Sequence, residues 1–431
     1  MNKTKALLVT SFALFLLFFG AGNLLLPPLL GYNAGEHWFW VSIGFMFTAV
    51  FIPILGIYAH SKLQGTLYDF GKKVSPKFSV LYCIIIYVIA VVIPSPRTAA
   101  ATHEIAIAPN FNSTSLFTSV IYFALVLIFV LNRSKILELV GKYLTPIIVV
   151  ILLAVIAISL HTSKFSTSVP TFESPLLSGV LEGYQTFDAI GSVVVGAVII
   201  ISINGEFQYT FEEKKRLIKS SGMIAGLGLF VIYVGLIASG AFFSSEINLD
   251  ANLSNAMQRA NLLRNISTTA LGNFGNSVLS ILMALACFTT AVGIVTGTAD
   301  YFKGLFKNSQ TVYVITAILS CIFGITVGQL DFNAIVVIAI PFLLCIYPIT
   351  IVLIMLNAIP EHFASVIVFR MVILATFIFS IPDVVGFVAP SENLKSIVKF
   401  IPLSNHSFGW VLPAFVTFIL VNIFSKHKVN A

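Results

Sequence analysis

The sequence predicts an all-α polytopic membrane protein of about twelve transmembrane helices, arranged as two five-helix repeats of opposite orientation, each opened by a broken helix. Three observations carry this prediction. Of 431 residues, 58% are hydrophobic and only 10% charged, against about a quarter charged in a soluble domain. Nearly uncharged runs of about eighteen residues or more, enough to cross a hydrocarbon core, recur along the chain. Two of those runs, five apart in order, carry helix breakers and polar side chains at a depth where lipid offers the backbone no hydrogen-bond partner.

The spans fall at 6–31, 38–60, 78–96, 115–131, 137–160, 179–203, 217–243, 275–301, 311–328, 333–356, 363–381 and 408–424. The opening "MNKTKALLVTSFALFLLFFGAG" has the lysines and apolar core of a signal peptide. It lacks an A-x-A-like cleavage site and stays apolar to Leu30, so it reads as a retained first helix. Cations set the orientation. Counting from an inner N-terminus, the inner segments hold Lys3 and Lys5; Lys62, Lys72, Lys73 and Lys77; Arg133, Lys135 and Lys142; Lys214, Lys215, Arg216 and Lys219; Lys303 and Lys307; Lys426 and Lys428. The outer segments hold Arg97, Lys164, Arg259, Arg264, Lys395 and Lys399, and Arg370 falls within a span. The positive-inside rule therefore places both termini in the cytoplasm. These loops account for the net charge of +7, so the charge calls for no nucleic-acid partner.

Cys83, Cys287, Cys321 and Cys345 all lie in apolar spans without metal-ligand spacing, and read as packing residues. Most histidines sit at loop edges. The longest loop, Ser244 to Phe274, contains "NAMQRANLLRNIS", an amphipathic stretch that fits either a lid over an outer vestibule or a plain surface helix. Pro53, Pro146, Pro341 and Pro348 read as kinks.

The first interruption is "FFGAGNLLLPPLLG"; the second is "SGVLEGYQTFDAIGS", at the start of the sixth span. Five helices separate them, an odd number, so the group that each one opens is inverted relative to the other. The chain then divides into residues 1–160 (spans 1–5), residues 179–356 (spans 6–10) and residues 357–431 (two accessory spans and an inner tail). Broken helices at matching positions of inverted halves point to a solute site built from half-helix ends.

The residue types at the breaks have chemistry to offer. Gly20, Ala21 and Gly22 let a ligand approach the peptide groups, and the amides of Ala21, Gly22 and Asn23 stand at the positive end of the following half-helix, which suits a carboxylate. Carbonyls from Leu16 to Gly20 are freed for a cation, Asn23 braces the break, and Pro27 is expected in the new helix's first turn. In the eighth span, "ALACFTTAVG" sets Ala286, Thr289 and Thr290 on one face at i, i+3 and i+4. Two hydroxyls and a carbonyl fit a monovalent cation such as sodium better than a divalent one. The same threonines also readily bond their own helix. Arg97 and Glu104, seven apart in "IPSPRTAAATHEIAIAP", form either a buried pair beside the pathway or an outer rim pair. They are the candidate gate. Asp188 is the deepest carboxylate, open to a capping, ammonium-binding or proton-relay role.

The stretches "FFGAGNLLLPPLLGYNAGEHWFW", "GFMFTAVFIPILGIYA", "IPSPRTAAATHE" and "CFTTAVG" resemble the bacterial branched-chain amino acid:cation symporter family, within the amino acid–polyamine–organocation superfamily. The resemblance spans essentially the whole chain. It implies a LeuT-type five-plus-five architecture and import of leucine, isoleucine and valine with sodium. It also implies substrate carboxylate binding at Ala21 and Gly22, and a sodium site formed by carbonyls of Leu16, Phe19 and Ala286 with the hydroxyls of Thr289 and Thr290. Around these, Asn23, Tyr184, Thr186, Phe187, Asp188 and Phe288 are the expected substrate-site residues, with Gly20 beside the cation.

The expected partners are thus a branched-chain amino acid, a co-transported sodium ion and the lipid bilayer of a bacterial cytoplasmic membrane, with no other metal, no cofactor and no ATP, since no Walker A sequence occurs. One rival is a proton-coupled carrier of the same fold, with Asp188 or Glu104 as relay. A membrane-embedded enzyme is disfavoured because no His, Asp and Glu cluster converges, and a channel is the remaining alternative.

Overall fold

The structure, a computed structural model, describes residues 3–132, 140–206, 209–250, 252–330, 332–389, 401–404 and 407–427. Among the cations used above, Arg133, Lys135, Lys395, Lys399 and Lys428 lie outside the described residues, as does the start of span 5. Every described element is a helix. Eight are long and apolar enough to cross a membrane, nine if the bent pair Pro175–Tyr184 and Asp188–Asn204 forms one span; Ser115–Leu131 and Val411–Phe424 are shorter apolar helices.

Span 1 is broken at Phe19–Gly20 into half-helix 1a (Lys3–Phe18) and half-helix 1b (Ala21–Ala34). The break falls earlier than Pro27 suggests, because Gly20 starts the new helix: its carbonyl accepts the Leu24 N–H at 3.3 Å, as an N-cap carbonyl does. Pro27 and Pro28 therefore lie inside 1b rather than in its first turn. Half-helix 1b ends at Gly35, whose φ of +50° and 2.0 Å clearance from the Ser168 carbonyl leave no place for a side chain.

Span 6 is broken between half-helix 6a (Pro175–Tyr184) and half-helix 6b (Asp188–Glu206), with a bend of 40°. Phe187 at the bend has φ +64°, a left-handed conformation that a bulky residue adopts only under the constraint of its surroundings.

Span 3 runs further than expected. Pro76–Val92 is followed by Pro94–Ala101 and then by a π turn, Thr102–Ile107. Pro94 and Pro96 sit in the first turn of the second helix, where a missing N–H leaves nothing unpaired, so the span continues past them instead of ending. The three described π turns, Phe47–Phe51, Thr102–Ile107 and Val140–Leu144, each finish two residues ahead of a proline (Pro53, Pro109, Pro146). Widening the turn there relieves the clash between the proline ring and the carbonyl four residues back.

Two helix crossings are made at backbone distance. A Cβ on Gly31 of half-helix 1b would stand 1.9 Å from the Ile237 carbonyl oxygen of span 7, and one on Gly240 would stand 1.9 Å from that of Pro28. Likewise a Cβ on Gly44 of span 2 would lie 2.0 Å from the Leu176 oxygen of half-helix 6a, and one on Gly179 would lie 2.2 Å from that of Val41. Small residues facing each other across a membrane crossing permit this approach. The loop helix Asn255–Leu271 buries Ala256, Arg259, Leu262, Leu263 and Ile266 on one face, so the outer amphipathic stretch is docked along that face.

Candidate functional site

The two breaks face one another across a cavity of about 60 Å³. Half-helix 1a supplies Leu17 and Phe18, the first break Gly20 to Asn23, and span 3 Ala90, Pro94, Arg97 and Thr98. The second break and half-helix 6b supply Thr186, Phe187, Asp188, Ile190, Gly191, Val194 and Val195, and span 8 supplies Thr290 and Ile294. One wall is thus aliphatic and aromatic; the other carries polar groups from four spans.

At the first break the Gly20 N–H donates to Asn23 Oδ1 at 3.1 Å. That takes it away from the Leu16 carbonyl, its partner in an unbroken helix. Asn23 in turn donates from Nδ2 to Asp188 Oδ2 at 2.6 Å and to the Tyr233 hydroxyl, and Tyr233 donates to the same Asp188 oxygen at 3.4 Å. Asp188 opens half-helix 6b but does not cap it. The Thr186 hydroxyl does, accepting the Asp188 N–H at 3.2 Å and donating to the Gly183 carbonyl at 2.8 Å. The carboxylate is left to tie the two breaks together through charge-assisted bonds.

Thr290 lines the cavity beside the first break: a Cβ on Gly20 would come within 2.9 Å of its hydroxyl. Both predicted threonine hydroxyls donate to their own helix, Thr289 to the Leu285 and Ala286 carbonyls at 3.1 and 3.0 Å and Thr290 to Ala286 at 3.1 Å. Donating the proton backwards leaves each hydroxyl oxygen with lone pairs for a cation. The Ala286 carbonyl is already the acceptor of both. Leu16, Phe19, Ala286 and Thr289 lie behind the cavity surface; Gly20 and Thr290 lie on it. Among the described residues no three His, Cys, Asp or Glu gather as a metal cluster.

Other predicted residues are placed differently. Tyr184 turns away from the cavity and packs on Tyr347 and Phe408, ring centroids 4.5 and 5.7 Å apart. Phe288 sits on the far side of span 8, edge-on to Tyr122 and Phe129 at 6.2 and 5.1 Å. Arg97 is not at a rim. On the helix that restarts at Pro94 it lines the cavity, 3% exposed, and its Nη1 donates to the Gln185 carbonyl at 2.7 Å. Glu104 lies on the π turn that follows, half-buried.

A second ion pair lies near the second break. Arg259 of the loop helix pairs with Glu182 of half-helix 6a, and Gln185 Nε2 donates to Glu182 at 2.7 Å. The sequence marks neither Arg259 as a partner of Glu182 nor Tyr233 as a partner of Asn23. Each is a lone polar residue in a segment whose packing only the fold reveals.

The architecture is that of membrane transporters of the LeuT type, a bundle built around two broken helices. Solved structures that share it include a manganese transporter of Eremococcus coleocola (TM-score 0.59, 15% identity, 99% of this chain and 96% of that one). A Na+-coupled sialic acid symporter matches with TM-score 0.60 and 12% identity over 96% of this chain and 89% of that one. MhsT, solved in complex with L-phenylalanine, matches with TM-score 0.57 and 16% identity over 97% and 98%. The chain belongs to the branched-chain amino acid transport protein family, whose model matches residues 3–428. Its relatives include the branched-chain amino acid permease BraB of Bacillus subtilis (32% identical, 96% of this chain and 94% of that one) and the branched-chain amino acid transport system 2 carrier protein of Pseudomonas aeruginosa (30% identical, 96% and 94%). It is a multi-pass transport protein and not an enzyme.

Proposed function

We propose that this protein imports leucine, isoleucine and valine by symport with sodium, through alternating access, as a twelve-span protein of the bacterial cytoplasmic membrane with both termini inside. Residues 1–160 and 179–356 are then the inverted repeats, and residues 357–431 are accessory. The observation that carries the reading is the meeting of the two breaks at one cavity, with half-helix amides at Ala21 and Gly22 on one side and the Asp188 carboxylate on the other. An α-amino acid has the complementary pair of charges. The aliphatic wall of Ile190, Val194 and Ile294 suits a branched side chain, and the names of the relatives support the same substrate class.

Sodium is assigned to the junction of spans 1 and 8. Thr290 beside Gly20 supports this, as does the diversion of the Gly20 N–H away from the Leu16 carbonyl. In this cycle sodium steadies the unwound segment, the carboxylate docks on the amides of half-helix 1b, and rocking of one bundle against the other opens the inner side.

The deciding experiment is leucine uptake into proteoliposomes at fixed pH, with and without an inward sodium gradient. Accumulation that requires sodium is expected. Uptake indifferent to sodium but driven by a pH gradient would transfer the coupling to a proton, with Asp188 as the carboxylate that faces the cavity. Loss of sodium dependence in Thr289→Ala plus Thr290→Ala would tie the ion to span 8.

A further inference from the structure

We propose that Arg97 is the residue that selects for the α-carboxylate of the transported amino acid, gripping it together with the amides of half-helix 1b. This rests on the amino acid reading above and goes beyond it by naming the charge that reads the carboxylate.

A guanidinium buried within a span is retained only where it serves a partner or a pathway. The helix that restarts at Pro94 places Arg97 on the cavity that both breaks line. Its position is fixed from both sides. Nη1 donates to the Gln185 carbonyl of the second break at 2.7 Å. Nη2 lies 3.1 Å from the point that a Cβ on Gly22 would occupy. A positive group is therefore directed at the positive end of half-helix 1b. For a purely structural cation that is the unfavourable end, because a helix dipole attracts cations at its C-terminus. The guanidinium and the amides of half-helix 1b thus border one spot of the cavity, where the carboxylate end of a zwitterion would meet both.

The size and shape of that anion follow from the guanidinium. Its planar fork of donors matches a carboxylate edge-on, giving two parallel bonds. The glycine opposite leaves clearance that an alanine would reduce: at 3.1 Å a Cβ would press on Nη2. The negative counterpart on the same cavity, Asp188, is already oriented by Asn23 and Tyr233. The cavity thus presents one positive and one negative pole, set by different spans, to the two ends of a zwitterion. A group built to bind a charged partner rejects the analogue that lacks it far more strongly than an apolar wall rejects a missing methylene.

The test compares L-leucine with L-leucinol, which keeps the ammonium and the isobutyl side chain but has no carboxylate, by direct binding to the purified full-length protein. The wild type is expected to prefer leucine by about a hundredfold or more, the range in which a buried charge pair is lost. In Arg97→Gln most of that preference should be lost through loss of leucine affinity, the half-helix amides keeping a remainder, with leucinol binding little changed. Arg97→Lys keeps the charge but not the fork, and should lose about tenfold in the ratio. If Arg97 only supports packing, both ligands weaken together and the ratio stays at its wild-type value, which overturns the proposal. Should Arg97→Gln fail to fold, the ratio in Arg97→Lys decides alone, and an unchanged ratio there is equally fatal. A wild type that binds no branched-chain amino acid sinks the substrate reading instead. The same comparison made with the amino acid that does bind and its amino alcohol then still decides the role of Arg97.

Discussion

Asn23 and Asp188 are 165 positions apart in the chain, yet their side chains meet at 2.6 Å, one at each broken helix. The bond makes the two breaks a single unit. Asn23→Ala removes a donor from a buried carboxylate, a loss of about 2 kcal/mol or more for a charge-assisted bond. Thermal unfolding of the purified protein should register this as a clear drop in midpoint, and an unshifted midpoint would count against the bridge.

Thr290 is the span 8 hydroxyl on the cavity surface. Thr290→Val keeps its shape and removes its oxygen. If that oxygen ligates sodium, half-saturation of uptake should require about tenfold more sodium, the equivalent of about 1.4 kcal/mol. Leucine uptake measured across a sodium series checks this, and an unchanged midpoint would take Thr290 out of the ion site.

On the proposed reading, the aliphatic wall sets which side chain fits. Ile294→Ala should move the preference among leucine, isoleucine and valine by about tenfold, since one methylene in an apolar pocket is worth roughly 1–3 kcal/mol. Phe288→Ala is the contrast. Its ring packs on Tyr122 and Phe129 outside the cavity, so stability should fall by about 2–3 kcal/mol with the preference untouched. Competition uptake and thermal unfolding, run on both variants, separate the two roles.

Arg259 and Glu182 tie the loop helix to half-helix 6a. A double-mutant cycle on stability with Arg259→Gln and Glu182→Gln should return a coupling of roughly 1–3 kcal/mol for a largely buried ion pair. Additive losses would mean that the loop helix is held by its apolar face alone.

Much of this site was legible in the sequence because breakers and hydroxyls are conspicuous inside apolar runs. Gly20, Gly22 and Asn23 mark the first break, and Thr186 and Asp188 the second, without any fold in hand. The depth of Arg97 was not legible, since two prolines in three residues can either end a helix or turn it, and only packing decides. Tyr184 and Phe288 were misplaced for a related reason. Neighbouring residues of a helix point along different radii, and a half-turn of uncertainty sends an aromatic ring to the opposite side. The Arg259–Glu182 pair joins segments 77 positions apart, a separation at which spacing carries no information.

The glycine crossings bear on how such a molecule can move. With carbonyl oxygens seated where side chains would be, half-helix 1b is keyed to span 7 and half-helix 6a to span 2. Neither pair can slide without lifting apart, so each travels as one rigid strut. The articulation is then left to the residues that interrupt the helices, Phe19 and Gly20 in one and Gln185 to Phe187 in the other. Three of those residues, Gly20, Thr186 and Phe187, also line the cavity, so a solute that filled it would stiffen or release the joint as well.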